Sequence, residues 1–232
     1  MASTCPICER RRGKRFCPGL PRSLPDGRPG RWSDAAIHSI CAQCCGEQRE
    51  VSIDCPADCP YLVAAHRYEA ERRPSQPPGD LAFPQLVIER RFLQERQALM
   101  TGLSIFLVRF TQENPDVRDA DVLAALDSLA QSYQTLEAGL YYEQPPASAS
   151  AQRVAAAVKQ YLEQFSQEAQ QKLGSSLRPG DALRALVFLR RWGQVEGNGR
   201  PLSRRYLDFL RAQFPQGAVE PAEGPRLIVP GA

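Results

Sequence analysis

The chain reads CPICERRRGKRFC over residues 5–17, ICAQCC over residues 40–45 and CPADC over residues 55–59. These three segments contain all eight cysteines of the 232-residue chain, and residues 60–232 contain none. Cysteines separated by two or three residues are typical of metal sites, because one tight turn presents two thiolates to the same ion. The pattern therefore predicts an N-terminal region that folds around metal.

The N-terminal sequence MASTCPICERRRGKRF lacks the apolar core of about 7–15 residues that a secretory signal needs. We therefore expect a cytoplasmic protein, whose thiols are kept reduced and are available to metal rather than to disulfides. The longest apolar patch, residues 103–110, is interrupted by Ser104 and Arg109 and is far shorter than the roughly 20 residues that span a bilayer. No membrane association is predicted.

The number of cysteines fits two structural zinc sites. Zinc in such sites takes four ligands in a tetrahedron, so eight thiolates fill two sites with none left over. Iron–sulfur clusters are less favoured because the C-x-x-C-x-x-C run typical of them is absent. The predicted ligands of the two zinc ions are Cys5, Cys8, Cys17, Cys41, Cys44, Cys45, Cys55 and Cys59.

Two partitions of these ligands are open. In the first, the CPIC pair and Cys17 share an ion with one of the three ICAQCC cysteines, and the CPADC pair takes the other two. In the second, the CPIC pair joins Cys41 and Cys44, which leaves Cys17, Cys45 and the CPADC pair for the other ion. Neighbouring residues of a helix point about 100° apart, so the adjacent cysteines can serve different ions.

A catalytic zinc keeps an open position for water and usually includes histidine or carboxylate ligands. The chain has only two histidines, and His38, three residues before Cys41, is the one that could replace a cysteine ligand. The phosphate-binding loop, the G-x-S-x-G motif and the H-E-x-x-H motif are all absent from the sequence. We therefore expect closed structural sites and a protein without enzymatic chemistry.

The predicted fold is mainly α, with a small cysteine-rich zinc-binding module followed by an α-helical bundle. The module covers residues 1–73 and contains both zinc sites. A Pro-rich linker at 74–80 joins it to the bundle at 81–215. The Pro/Gly-rich tail at 216–232 is expected to be mobile.

Two helices are expected within the module. Ser33 or Asp34 is a suitable cap for a short helix that runs through ICAQCC and ends at Gly46. Asp58 is a suitable cap for a second helix, from about residue 60 to residue 73. The ICAQCC cysteines would therefore lie on one helix.

Five amphipathic helices are expected beyond the linker, because apolar residues recur there every three or four positions. Val122, Leu126, Leu129 and Tyr133 show this spacing. The helices are expected at about 84–113, 119–142, 149–173, 180–193 and 202–214. Packing their apolar faces together produces a helical bundle.

The formal charge of +3 gives no general case for nucleic-acid binding. Residues 1–79 hold twelve Lys/Arg and nine Asp/Glu, and two zinc ions bound by eight thiolates lower the charge of that region by four. The remaining local basic run consists of Arg10, Arg11, Arg12, Lys14 and Arg15. We interpret it either as compensating the nearby thiolates or as a weak phosphate-contacting patch for DNA or RNA.

The stretch ICAQCCGEQREVSIDCPADCPYL at 40–62, together with LYYEQPP at 140–146, resembles a group of uncharacterised bacterial proteins. These proteins pair a cysteine-rich N-terminus with a helical C-terminal half, and the likeness covers most of the chain. The resemblance implies metal binding and adds no activity. The C-x-x-C-C motif is also similar to that of cysteine-cluster proteins that bind zinc or iron, although their later cysteines are absent here.

Closed metal sites joined to a helical half without catalytic groups favour a non-enzymatic adaptor or regulatory protein that acts through an unidentified protein partner. Leu140, Tyr141 and Tyr142 either pack in the core or anchor such an interface. Two alternatives stay open. One is a nucleic-acid-binding zinc protein that uses the basic run, and the other is a thiol redox or metal sensor that uses the adjacent Cys44 and Cys45.

Overall fold

A computed structural model describes residues 4–20, 39–72, 80–140 and 142–215. The described chain is mainly helical, and a cysteine cluster near its N-terminus precedes a helical bundle, which confirms the predicted fold class. A two-stranded sheet is formed by β1 Arg15–Phe16 and β2 Ser39–Ile40. The eight described helices are α1 Ala42–Gln48, α2 Pro60–Glu71, α3 Arg90–Glu95, α4 Gln97–Glu113, α5 Asp119–Glu137, α6 Ala149–Leu173, α7 Pro179–Glu196 and α8 Arg205–Gln213.

Some predictions fall outside the described residues. Only Asp80 of the predicted linker is described, and the predicted mobile tail at 216–232 and His38 are not. The domain boundaries therefore stay predictions. Within the described parts of the chain, no helix combines the length and apolarity needed to cross a membrane.

The prediction of one helix ending at Gly46 is wrong. Ile40 lies in β2, where it pairs with Arg15 of β1, and α1 begins only after Cys41. The backbone amide of Lys14 donates to the Ile40 carbonyl at 3.0 Å, which holds this segment extended. Because the sheet occupies residues 39–40, Cys41 becomes the N-cap of α1, and the helix continues through Gly46.

The bundle is built around α5, which packs against α6 and α7, while α4 packs against α6 and α8. Leu103 and Leu107 of α4 and Leu126 of α5 are fully buried. Leu103 and Leu107 are four residues apart, which is the spacing of the buried face in an amphipathic helix. The buried Tyr206 of α8 donates its hydroxyl to the Leu189 carbonyl at 3.0 Å, so its polar end is satisfied inside the core.

The prediction of one helix over 84–113 is wrong in its first part. Residues 84–89 are not helical, and α3 and α4 are separated at Arg96. Arg191 of α7 explains the irregular entry, because its guanidinium occupies the carbonyl groups that a helix would use. It donates to the carbonyl oxygens of Ala82, Phe83 and Leu86 at 2.9, 2.6 and 2.8 Å.

The cysteine module and the bundle are joined by hydrogen bonds around Glu50, which is only 3% exposed. Its Oε2 accepts from His66 Nε2 at 3.0 Å and from Asn198 Nδ2 at 2.8 Å. Its carbonyl oxygen accepts from the Leu202 amide at 2.8 Å. Arg200 adds a bond from its guanidinium to the Arg49 carbonyl at 2.7 Å. The loop between α7 and α8 therefore holds the module against the bundle.

Candidate metal centre

Four thiols converge in the N-terminal module. The Sγ atoms of Cys5, Cys8, Cys41 and Cys44 all lie within 4.8 Å of one another, and those of Cys8 and Cys41 are 4.0 Å apart. A zinc ion with sulfur ligands at about 2.3 Å in a tetrahedron requires ligand separations of about 3.8 Å. The four thiols therefore have the number and spacing that a single metal ion needs.

The first two ligands come from a tight turn. The Glu9 amide donates to the Cys5 carbonyl at 2.8 Å, and Glu9 has a φ of 52°. This left-handed residue reverses the chain directly after Cys8. The Cys5 amide then donates to the Arg11 carbonyl at 2.6 Å, which brings both arms of the turn together. Cys5 and Cys8 consequently present their sulfurs to the same side.

The other two ligands are placed by the start of α1. Cys41 is its N-cap, and the Sγ of Cys41 accepts from the Cys44 amide at 3.4 Å. Cys44 lies one turn further along, so both sulfurs point to the same end of the helix. Gly13 permits the close approach of the two halves, because a Cβ atom there would lie 2.2 Å from the Ser39 carbonyl oxygen.

Two of the four thiols have a pKa below the ordinary value of a cysteine. The Cys44 amide, followed by the Arg11 guanidinium, lowers the pKa of Cys41 to about 6. Backbone amides of Arg10 and Arg11 lower the pKa of Cys8. Burial and hydrogen bonds to its neighbours raise the pKa of Cys44. A divalent cation would favour the thiolate form of all four, so metal uptake should release the remaining protons.

The observed group is the first of the two groups in the second partition. The first partition placed Cys17 with the CPIC pair, but Cys17 is not part of the four-thiol group. Cys17, Cys45, Cys55 and Cys59 are all reduced thiols elsewhere in the module. Within the described residues, they do not form a second group as compact as the first.

The basic run is divided between two roles. Arg11 Nη1 donates to Cys41 Sγ at 3.6 Å, and the Arg15 guanidinium stacks 4.7 Å from the centre of the Tyr61 ring. Arg10, Arg12 and Lys14 are exposed, and the described residues include no ion-pair partner for them. Arg11 is therefore placed to compensate a thiolate at Cys41. Among the described residues, three other cations of the run have no such contact and are available for another task.

His66 is not part of the thiol group. His66 bonds to Glu50, and His38 lies outside the described residues. Sequence reasoning missed Glu50, Asn198 and Arg200, which hold the module in place. Their sequence context carries no sign of this role, because the partners are about 150 positions apart in the chain.

Comparisons with protein-family models, with curated proteins and with solved structures yielded no match.

Proposed function

We propose that this protein is a non-enzymatic adaptor or regulatory protein whose N-terminal module is organised by structural zinc. It works in the reducing cytosol, where thiols stay available to metal. The observation that carries the proposal is the convergence of four cysteine sulfurs within 4.8 Å. Four protein ligands complete a tetrahedral shell, so an ion held there has no free position for water or substrate.

Zinc is favoured by the spacing of the sulfurs. Thiolates that bind different irons of a cluster stand further apart than thiolates around one ion. The 4.0 Å separation of the Cys8 and Cys41 sulfurs is close to an edge of a tetrahedron around one ion. A single iron ion would take the same geometry, and elemental analysis distinguishes it from zinc.

The helical half offers a surface for a protein partner at the end of α5. Leu140 and Tyr142 are 69% and 64% exposed, and Leu136 beside them is 38% exposed. An aromatic ring next to an exposed leucine is a common anchor in protein interfaces. The core interpretation of Leu140 and Tyr142 is wrong, since both are exposed, while Tyr141 lies outside the described residues.

Metal binding is tested on the full chain, purified without added metal. Elemental analysis and native mass spectrometry should find zinc, and Cys5→Ser with Cys41→Ser should lower the number of bound ions by one. The control is Ser52→Ala, in the exposed turn after α1, which leaves every thiol in place and should keep the zinc. A protein that carries iron, or no metal, contradicts the proposal.

The adaptor role is tested by affinity capture with a matched pair of variants. The wild-type chain should recover a specific protein, and Leu140→Ser with Tyr142→Ser should lose it. Val87→Ser changes an equally exposed apolar residue, 73% exposed, far from α5 in sequence, and should keep it. The proposal fails if no specific protein is recovered or if both variants recover it equally.

A second candidate function is nucleic-acid contact through Arg10, Arg12 and Lys14, which are exposed and without ion-pair partners among the described residues. Three phosphate contacts predict a slope of about −2 for the logarithm of affinity against the logarithm of salt with single strands. Replacing the three residues with serine should abolish that slope. An unchanged slope removes this candidate.

A further inference from the structure

The four cysteines outside the first group occupy one region of the module. Cys17 and Cys45 are 7% and 8% exposed, and Cys55 packs against the same buried cluster. Cys59 follows Cys55 after a short turn, closed by the Cys59 amide on the Pro56 carbonyl at 3.0 Å, and directly precedes α2. All four are reduced thiols. Cysteines from separate segments that lie in one region of a fold can bind a metal ion together.

The adjacent cysteines of α1 are both buried but belong to different surroundings. Cys44 lies in the first thiol group, and Cys45 does not. Successive helical residues point about 100° apart, so Cys45 directs its sulfur away from that group. Cys17 is buried in the same cluster as Cys45, together with Ile53 from the segment that carries Cys55.

The loop after Cys17 lies directly against the segment that carries Cys55. A Cβ atom on Gly19 would be 2.4 Å from the Asp54 carbonyl oxygen and 2.9 Å from Ile53 Cγ2. This close approach brings Cys17 near both Cys55 and Cys59, whose thiols also interact with it electrostatically. The chain has thus paired two loops that are nearly 40 positions apart, with a cysteine on each.

Backbone amides near Cys17 and Cys55 favour the thiolate form of these two residues. The amides of Gly19 and Leu20 reach Cys17 in the same pattern as those of Arg10 and Arg11 reach Cys8, two and three residues further on. The amide of Glu50, which donates to the Ile53 carbonyl at 3.1 Å, favours the thiolate of Cys55. Burial nevertheless raises the pKa of Cys17, and that of Cys55 to about 11. Thiolates there need a cation to compensate their burial.

We propose that Cys17, Cys45, Cys55 and Cys59 form a second tetrahedral zinc site. The four sulfurs are less closely gathered than those of the first site, and the ion draws them together as each protonated thiol releases its proton to solvent. This site joins the Cys17 loop, α1 and the segment before α2. It also lies beside the interface with the bundle, because the amide of Glu50 donates to the carbonyl of Ile53, two residues before Cys55, and the carboxylate of Glu50 accepts from Asn198.

The inference rests on the proposal that the module binds zinc, and one set of measurements separates the two. Native mass spectrometry of the wild-type chain with Zn²⁺ should show two bound ions. Cys17→Ser with Cys55→Ser should bind one ion, and Cys5→Ser with Cys8→Ser should also bind one. Ile53→Ala, which removes a buried side chain between the same loops but no thiol, should keep both.

The result that overturns the second site is one ion in the wild-type chain that survives Cys17→Ser with Cys55→Ser and is lost with Cys5→Ser and Cys8→Ser. That outcome leaves the first site intact. If the single ion is instead lost with Cys17→Ser and Cys55→Ser and kept with Cys5→Ser and Cys8→Ser, the second site is supported and the first is contradicted. Binding of no ion contradicts both.

A second measurement covers variants that fail to fold. In the zinc-loaded wild-type chain, all eight cysteines should resist alkylation until a chelator is added. If Cys17, Cys45, Cys55 and Cys59 are alkylated at the same rate with and without the chelator, the second site is excluded.

Discussion

The cysteine module and the helical bundle bury their interiors in different ways. Among the described residues, the buried cluster of the module consists of five cysteines and only three aliphatic residues, which are Leu20, Ile40 and Ile53. The core of the bundle contains leucine and valine from five helices, α4 to α8, and no cysteine. The bundle therefore has the apolar surface to fold by the hydrophobic effect. The module has much less of it, and it contains a group of four thiols that could hold a metal ion.

The two regions should lose stability through different kinds of substitution. Apolar burial is shared among many residues, so loss of one side chain costs the bundle only part of its stability. A metal site acts as a unit, because the loss of one ligand removes most of the binding free energy. The two regions should consequently respond to different perturbations, and five experiments measure how separate they are.

Removal of zinc has the largest expected effect. Structural zinc contributes on the order of 10 kcal/mol to folding a small module, so a chelator should unfold residues 4–20 and 39–72 while α5 and α7 stay folded. Hydrogen exchange followed by mass spectrometry measures both regions in one sample. Re-addition of Zn²⁺ serves as the control and should restore protection. If α1 and β2 stay protected in the metal-free chain, the comparison between the two regions is wrong.

A change of pH should affect the bundle through Asp119, which is 4% exposed. Its carboxylate accepts from the Ser203 hydroxyl and the Tyr206 and Leu207 amides. Burial raises its pKa to about 6, above the ordinary 3.8. The native state therefore holds the proton more tightly than the unfolded state does. The contribution of Asp119 to the free energy of unfolding is therefore greatest below pH 4. It decreases by about 3 kcal/mol as the pH rises from about 4 to about 6.

The measurement for Asp119 is the free energy of unfolding between pH 4 and pH 6.5, followed by Trp192 fluorescence in a Trp32→Phe background. Trp192 reports on the bundle because its ring packs 5.1 Å from that of Phe209. Asp119→Asn cannot ionise and should lack the decline. Parallel curves for the two proteins would show that this carboxyl does not titrate in the predicted range.

A pair of glycine substitutions compares the packing of the two regions. A Cβ atom on Gly193 in α7 would lie 2.4 Å from Leu123 Cδ2 and 2.8 Å from the Tyr206 ring. Gly193→Ala should therefore destabilise the bundle by about 1–3 kcal/mol. Gly46 in α1 has no atom within 4 Å of the same position, so Gly46→Ala should raise the helical stability of the module by up to about 1 kcal/mol. Thermal unfolding checks both, and equal effects would contradict the packing difference.

The interface is tested by Arg200→Ala. This change leaves the Arg49 and Gly46 carbonyls without their guanidinium donor, which should cost about 1–2 kcal/mol. Hydrogen exchange should accelerate at residues 46–50 and not in α5. Arg211→Ala breaks only an exposed pair with Asp208 and should change neither region. Faster exchange in α5 would show that the interface stabilises the bundle as a whole.

The basic run has the smallest expected effect. Replacing Arg10, Arg12 and Lys14 with serine should alter the free energy of unfolding by no more than about 0.5 kcal/mol, because they are exposed side chains without partners among the described residues. Arg11→Ala should instead speed zinc transfer to a chelator, because it removes the donor to Cys41. If the triple variant also speeds zinc transfer, the distinction between Arg11 and the three exposed cations is wrong.

Much of the bundle could be predicted from the sequence, because helical periodicity is local. The predicted third helix at 149–173 has the observed bounds of α6, and Gly174, directly after it, is a left-handed C-cap with a φ of 67°. The prediction failed at residues 84–89, where Arg191 of α7 removes the carbonyl groups from helical use. A residue about 100 positions away carries no local signal in that segment.

Short spacings along the chain predict that the clustered thiols converge as candidate metal ligands. They also predict that helices form the bundle, because helical periodicity depends on near neighbours. Which thiols share a group depends on contacts between segments that are distant in the chain. Cys5 and Cys8 meet Cys41 and Cys44 because β1 pairs with β2 and because Gly13 permits backbone contact with Ser39. Such contacts join positions more than 20 residues apart, and cysteine spacing is the same whether they form or not.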